Sequence, residues 1–278
     1  MRKLLFIELL KTFHKKRTYI AFTVIFVISS IIQLALYFQG DRYLNFATRS
    51  LNNSFEFSGN FLNGYLVAFV ILQSLSAYIP FLILLVGGDL LAGEATSGTY
   101  RIMLTRPISR SNFVTAKFIA GTIYTNLLLF FMMVISLGFA MFFFGTGELI
   151  AFRDKLYVFA TDDIIWRFVL SYGFVALSMT TVLSLSILFS SLVENAIGPI
   201  ISTMFVIITF LIISALNIEV LDPIKPFLFT NHMSAWREFF VNPINISKIA
   251  VSFFVLLAHI LTFYFLTVII FKRKDILS

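Results

Sequence analysis

An all-α membrane protein with six transmembrane helices is the fold class this sequence predicts, on three observations. Of its 278 residues, 59% are hydrophobic and only 13% charged, where soluble domains average about 25% charged. Six apolar runs approach the roughly twenty residues needed to cross hydrocarbon. Lys and Arg also divide unevenly between alternate connections, as membrane topology requires. The runs lie near residues 18–38, 64–86, 113–144, 166–192, 196–216 and 248–271. The second and third are long enough to tilt, kink or project beyond the bilayer. No stretch is left for a soluble unit, so residues 1–278 read as one membrane domain.

With the N-terminus placed in the cytoplasm, an even number of spans returns the C-terminus there. Thirteen of the 21 Lys and Arg then fall on inner segments, and nine of the 14 acids on outer ones. That balance suits the anionic cytoplasmic leaflet of the bilayer and gives no sign of nucleic acid as a partner.

Residues 2–16 are too charged to span. On a helical wheel Leu5, Phe6, Leu9, Leu10 and Phe13 share one side, while Lys3, Glu8, Lys11, His14 and Lys15 crowd the other. This pattern predicts an N-terminal helix lying in the inner interface, ending at Lys15-Lys16-Arg17. Gln33, the one amide side chain of the first span, reads as a hydrogen-bonding link between helices. A polar outer loop, 39–63, follows. Pro80 predicts a kink in the second span.

Between spans two and three lies the chain's one internal segment dense in Arg, Lys, Gly, Ser and Thr, from Asp89 to Lys117. Gly93 and Gly98 permit close backbone approach or positive φ. Thr99 to Leu104 suits one or two helical turns, with Tyr100, Met103 and Leu104 on one side and Arg101 on another. Pro107 stops that helix, and Ser109 or Ser111 caps the next. A short helix held flat at the inner face is a handle another protein can grip; the alternative is a passive ordered loop.

Beyond the third span, Leu149, Ile150, Phe152, Leu156, Tyr157 and Phe159 suggest a helix lying on the outer surface, and Asp162-Asp163 suit the start of the fourth span. That span carries Ser171, Ser178, Thr180, Thr181, Ser184, Ser186, Ser190 and Ser191, a set that favours close packing over a polar pathway. Glu194-Asn195 turns the chain, and Pro199 falls where a helix start tolerates it. The loop 217–247, with Pro223, Pro226, Pro243, Trp236, Arg237 and Glu238, reads as an ordered cap. His259 lies near mid-membrane in the last span, a functional candidate by position, with a neutral imidazole bonded to a neighbouring helix as the commoner outcome.

Several chemistries are absent. Cysteine is missing, which removes disulfides and thiolate metal sites. There is no P-loop, no H-E-x-x-H and no G-x-S-x-G, so no catalytic residue, metal ligand or cofactor is expected. Apart from His259 the spans hold no deep titratable group of the kind ion-driven carriers use. The chain reads as a membrane pathway without an engine of its own.

The run D-L-L-A-G-E-x-x-S-G-T-Y-R-I-M-L-T-R-P-I-S-R from Asp89, followed by Ala116-Lys117, resembles the ABC-2 type permeases of ATP-binding-cassette transporters. Their E…G-T-[L]-x-x-[LM]-L-x-x-P-[IV]-S-R block matches at Glu94, Gly98, Thr99, Met103, Leu104, Pro107, Ser109 and Arg110, with Lys117 beyond it; Tyr100 stands where leucine is common. Length and layout are similar to the permease of the nitrous-oxide-reductase maturation system and to bacterial drug, bacteriocin or gliding-associated exporters, which the motif does not separate.

The resemblance implies a permease homodimer in the bacterial cytoplasmic membrane, bound to two separate cytoplasmic ATPase subunits that do the hydrolysis. It implies a coupling helix docking on the ATPase through Glu94, Gly98, Thr99, Tyr100, Arg101, Met103, Leu104, Pro107 and Arg110. The substrate is not implied. Two other roles stay open: a mechanotransmitting anchor coupling an ATPase to an extracytoplasmic partner protein, and an intramembrane enzyme using His259.

Overall fold

A computed structural model describes residues 1–48, 62–96, 98, 109–152 and 156–274. Among them six helical stretches are long and apolar enough to cross a membrane; five overlie the expected runs, and the second, Ile79–Thr96, begins well inside the run expected at 64–86. Helix α1 (Arg2–His14) precedes α2 (Lys16–Thr48), whose helical geometry breaks at Gln39. The second crossing is divided into α3 (Gly64–Ser76), α4 (Ile79–Gly87) and α5 (Asp89–Thr96). The break falls at Ala77-Tyr78, and Pro80 sits in the first turn of α4, where its missing N–H costs nothing. The expected kink is thus a full interruption, placed just before the proline.

The third crossing starts at α6 (Arg110–Met133), passes through a π-helical segment (Val134–Phe139) and ends in α7 (Ala140–Phe144). Ser109 caps α6, its hydroxyl accepting from the Asn112 amide. Gln33 Nε2 donates to the Ile135 carbonyl at 3.1 Å, so the first and third crossings are joined as the lone glutamine suggested. Its acceptor lies in the π segment, where the wider turn changes the usual i→i−4 pairing.

One expectation is corrected at 149–159. Instead of a surface helix there is a hairpin, β1 (Leu149–Phe152) antiparallel to β2 (Leu156–Phe159), with Leu149 opposite Phe159. Two four-residue runs rich in aromatic and β-branched residues, separated by Arg153-Asp154-Lys155, carry a strand pattern that counting apolar positions alone misses. Asn63 Nδ2 donates to the Glu148 carbonyl at 2.6 Å, and the Gly64 amide to Gly145. A Cβ at Gly64 would stand 2.6 Å from the Met141 Cα, so only glycine fits this approach.

The fourth crossing, α8 (Ile165–Leu192), is the centre of the bundle. In it 72% of the apolar window is buried, against 17% in α9 (Ile197–Ala215) and in α11 (Ile246–Arg273). Its hydroxyls serve packing: Ser178, Thr181 and Ser184 bond to their own helix, while Ser171 reaches the Trp236 carbonyl. Gly87 and Gly121 let α4 and α6 approach Leu183 and Ser186. Asp163 accepts from Trp166 and Arg167 at the start of α8, the helix-start role expected of the acid pair.

The loop after α9 is an ordered cap, with α10 (Phe229–Met233) and a 3-10 segment (Ser234–Phe240). Trp236 is buried among Phe69 and Phe240, and Glu238 pairs with Lys248 at 2.7 Å. Arg167 ties the cap to α8 through the Phe239 carbonyl. The hairpin and cap form one end of the bundle. At the other end lie α1, α5, the start of α6, the turn at Glu194-Asn195 and the end of α11. Lys274 Nζ reaches the Ser191 carbonyl there, and Thr96 Oγ1 reaches Glu194.

Candidate functional site

The charge-bearing end is built from three short pieces of chain. Helix α1 brings Glu8 and Lys11, α5 brings Asp89 and Glu94, and the second turn of α6 brings Lys117. Lys117 Nζ lies 2.7 Å from Glu8 Oε2 and 2.8 Å from Glu94 Oε1; Lys11 Nζ lies 3.1 Å from Glu8 Oε1 and 2.9 Å from Glu94 Oε1. Two acids and two bases thus alternate around a closed ring. The side chains of Lys117 and Glu8 are 2% exposed and that of Glu94 is 8%, whereas Lys11 keeps 37%. The ammonium of Lys117 also stands 4.9 Å from the Phe113 ring centre.

Helix α1 buries a narrow stripe of Leu4, Glu8 and Thr12 against the rest of the bundle. Phe6, Ile7 and Leu10 on its apolar side and Lys3, His14 and Lys15 on its charged side are exposed, so Glu8 is the one charge of the helix fully withdrawn from the surface. The reason is electrostatic: Glu8 in a dry interior is tolerable only with partners in contact, and Lys117 supplies one from a helix far away in sequence. Burial lowers the Lys11 ammonium's pKa, but contact with Glu94 and Glu8 outweighs that and holds it above its ordinary value.

A second pair of contacts extends the ring. Asp89 accepts from Lys15 at 2.6 Å and from Arg17 at 3.3 Å, and Thr18 Oγ1 donates to the Thr12 carbonyl. Gly93 explains how Asp89 fits: a Cβ there would collide with the Asp89 carboxylate. Gly98 has φ +67°, the left-handed conformation that commonly follows a helix end. The two glycines therefore take the two roles glycine permits, close approach at one and positive φ at the other.

Ser190 completes the root of α5. Its hydroxyl accepts from the Leu91 and Ala92 amides at 3.2 and 2.7 Å and donates to the Gly88 carbonyl at 2.7 Å. Orphan amides at a helix start are usually met by a residue just before it; here one from α8 does so. Ser190 was legible only as one of many hydroxyls, Glu8 only as a charge on a polar face, and Lys117 as a position matching the family block with no partner assigned.

Of the residues expected at the coupling element, Glu94 lies at the centre of the ring and Gly98 at its exit. Arg110 is close by, its Nη1 donating to the Phe271, Lys272 and Lys274 carbonyls at the C-terminus of α11, where a cation is favoured. Thr99, Tyr100, Arg101, Met103, Leu104 and Pro107, and the short helix expected from Thr99 to Leu104, lie outside the described residues.

His259, the other candidate, bonds through Nδ1 to the Val255 carbonyl of its own helix at 2.8 Å, and its ring packs on Phe229 and Phe263. The expected link to a neighbouring helix is therefore an aromatic contact, and the hydrogen bond is local. Among the described residues no hydroxyl or carboxylate partners it, and no group of His, Asp and Glu could hold a metal ion.

The geometry defines a class: a multi-pass α-helical membrane domain with a buried ring of ion pairs at the root of one inter-helix segment. Residues 6–276 match the family model described as ABC-2 family transporter protein. The chain belongs to that family, and is therefore a transport membrane component, the permease type of subunit. No curated protein matches it.

Proposed function

We propose that this chain forms the membrane pathway of a transporter driven by separate ATP-hydrolysing subunits, and that force enters through the segment between α5 and α6. In this reading two copies pair in a bacterial cytoplasmic membrane and engage two ATPase subunits. Both termini and the linking segment lie in the cytoplasm, and α1 lies at the bilayer's inner face. Tyr100, Met103 and Leu104 provide apolar contact with the ATPase, and Arg101 a charged one.

The observation that carries the reading is the buried ring of Glu8, Lys11, Glu94 and Lys117. A segment pulled by a motor moves the membrane helices only if its two ends are held to them. Glu94 and Lys117 stand on the helices at those two ends and touch each other, with α1 clamped across both. Ser190 and Thr96 extend the same rigid unit to α8 and to the turn at Glu194. Displacement then passes along α4 and α5 as one piece, up to the break at Ala77-Tyr78, where the second crossing can bend. Beside that break a cavity of about 240 Å³ is lined by Pro80, Met179, Thr230 and Trp236, a space suited to a pathway.

The far cap favours a second reading. Val220 is 80% and Phe227 72% exposed there, surface that an extracytoplasmic protein can cover, so the same machinery would serve a mechanotransmitting anchor. One experiment separates both from a chain acting alone. Affinity purification in mild detergent is expected to bring down an ATP-binding-cassette ATPase, and Glu94→Ala to reduce coupled transport in reconstituted vesicles without affecting insertion. Full transport by the isolated chain without an ATPase would refute the reading, and undiminished transport by Glu94→Ala would remove Glu94 from it.

A further inference from the structure

The corner where α1 turns into α2 holds an open cavity of about 640 Å³, lined by Lys11, His14, Lys15, Lys16, Arg17, Asp89, Gly93 and Glu94. Its acids are already engaged: Asp89 by Lys15 and Arg17, Glu94 by Lys11 and Lys117. Counting Glu8 and Lys117 behind the wall, five cations face three acids among the described residues. Two positive charges are left over. Lys16 has no ion-pair partner among those residues and is exposed, and the side chains of Lys15 and Arg17 remain 45% and 57% exposed. The cavity is a cation-rich recess with unspent charge.

What lies beside it decides the ligand. Phe6 and Leu10 stand on the α1 ridge that leads, four residues per step, to His14 on the cavity wall; they are 63% and 45% exposed. On α2, Tyr19 and Ile20 follow Lys16 by three and four residues and are 54% and 48% exposed. Two bare apolar stripes therefore run away from the recess, one along each helix. A soluble anion would use the charge and make no use of either stripe. A molecule with an anionic head and hydrocarbon chains uses all of it.

We infer that this corner binds an anionic phospholipid, its phosphate held by Lys16 with Lys15 and Arg17 and its acyl chains laid on the Phe6–Leu10 and Tyr19–Ile20 stripes. Anionic headgroups attract basic residues at the membrane surface with about a fivefold gain per Lys or Arg, and the snug corner adds position to that attraction. The inference needs only the membrane embedding of the chain, not its ATPase partner. Failure of the coupling proposal would leave it standing, and its own failure would not touch that proposal.

The test uses the full chain purified in detergent, with bound lipid counted by native mass spectrometry. Phosphatidylglycerol and phosphatidylcholine of identical acyl chains are offered in competition, then inorganic phosphate is added at millimolar level. Phosphatidylglycerol is expected to be retained preferentially and to resist phosphate. Lys16→Gln, which breaks no ion pair among the described residues, should weaken that retention about fivefold, while Lys272→Gln, at the end of α11, should not. Equal retention of the two lipids, release by phosphate, or equal loss in the two variants would overturn the inference.

Discussion

Replacing Lys117 by methionine tests the ring where it is driest. The substitution keeps most of the length and the apolar stem of the side chain beside Phe113, and removes the ammonium with its charge and hydrogen bonds. Glu8, 2% exposed, and Glu94, 8% exposed, are then left to share Lys11. Breaking one partner of a buried pair costs about 3–5 kcal/mol, because the remaining charge stays desolvated. Lys11→Met removes the other base, but that side chain is 37% exposed, solvent screens its ammonium, and its pairing is worth up to about 1 kcal/mol. The two lysines touch the same acids, so only burial separates the two variants. Unfolding in mixed micelles, followed by the fluorescence of buried Trp236 at the far end and by proteolysis within α1, gives the two free energies and shows whether α1 alone is released. Glu8→Gln combined with Lys117→Met should cost less than the sum of the single changes. The reasoning is refuted if Lys117→Met stays within about 1 kcal/mol of the parent, or if Lys11→Met is the more damaging.

Other outcomes follow from neighbouring features. Ser190→Ala strands the Leu91 and Ala92 amides and should destabilise the protein by about 1–3 kcal/mol, with faster amide exchange in 89–96; unchanged exchange there would contradict the cap. Gly64→Ala drives a Cβ into the Met141 backbone and should cost about 1–3 kcal/mol, read as a lowered Tm, with Gly138→Ala, which meets nothing within 4 Å, as the benign control. Because the pKa of Lys11 is raised above 10.5, its contribution is complete below that value and lost as pH rises through the raised one. Proteolytic release of α1 should therefore increase only in the strongly alkaline range, and Lys11→Gln should remove that dependence. His259→Ala should leave ATP-coupled transport in place; its abolition would revive an enzymatic or proton-relay role.

Much of the scaffold was legible in the sequence because hydrocarbon length leaves few choices. Apolar runs fixed the crossings, Ser109 announced its helix, and Gln33 had to find a partner within the bundle. What escaped was whatever depends on distant neighbours. The 149–159 hairpin was missed because aromatic and β-branched residues at an interface look equally apolar in either periodicity, and only pairing with the start of α3 selects strands. The burial of Glu8 escaped for a related reason. A wheel shows which residues share a face, but whether one acid of that face can leave the surface depends on Lys117, more than a hundred residues away. Glu94 and Lys117 were singled out by their places in a motif, while their contact with each other and the part of Glu8 become visible only when α1, α5 and α6 meet. The second crossing shows the limit of a local signal, since Pro80 marked the position of the break but not its extent.

The absence of cysteine makes the most direct measurement possible: a single Met103→Cys variant, labelled from either side of the membrane and then cross-linked with a short bifunctional reagent in the assembled complex. The account predicts labelling from the cytoplasmic side only and a cross-link to the ATPase subunit, weakened when Glu94→Ala is added. Labelling by an impermeant reagent from outside, or a cross-link that never forms while the complex hydrolyses ATP and transports, would contradict it.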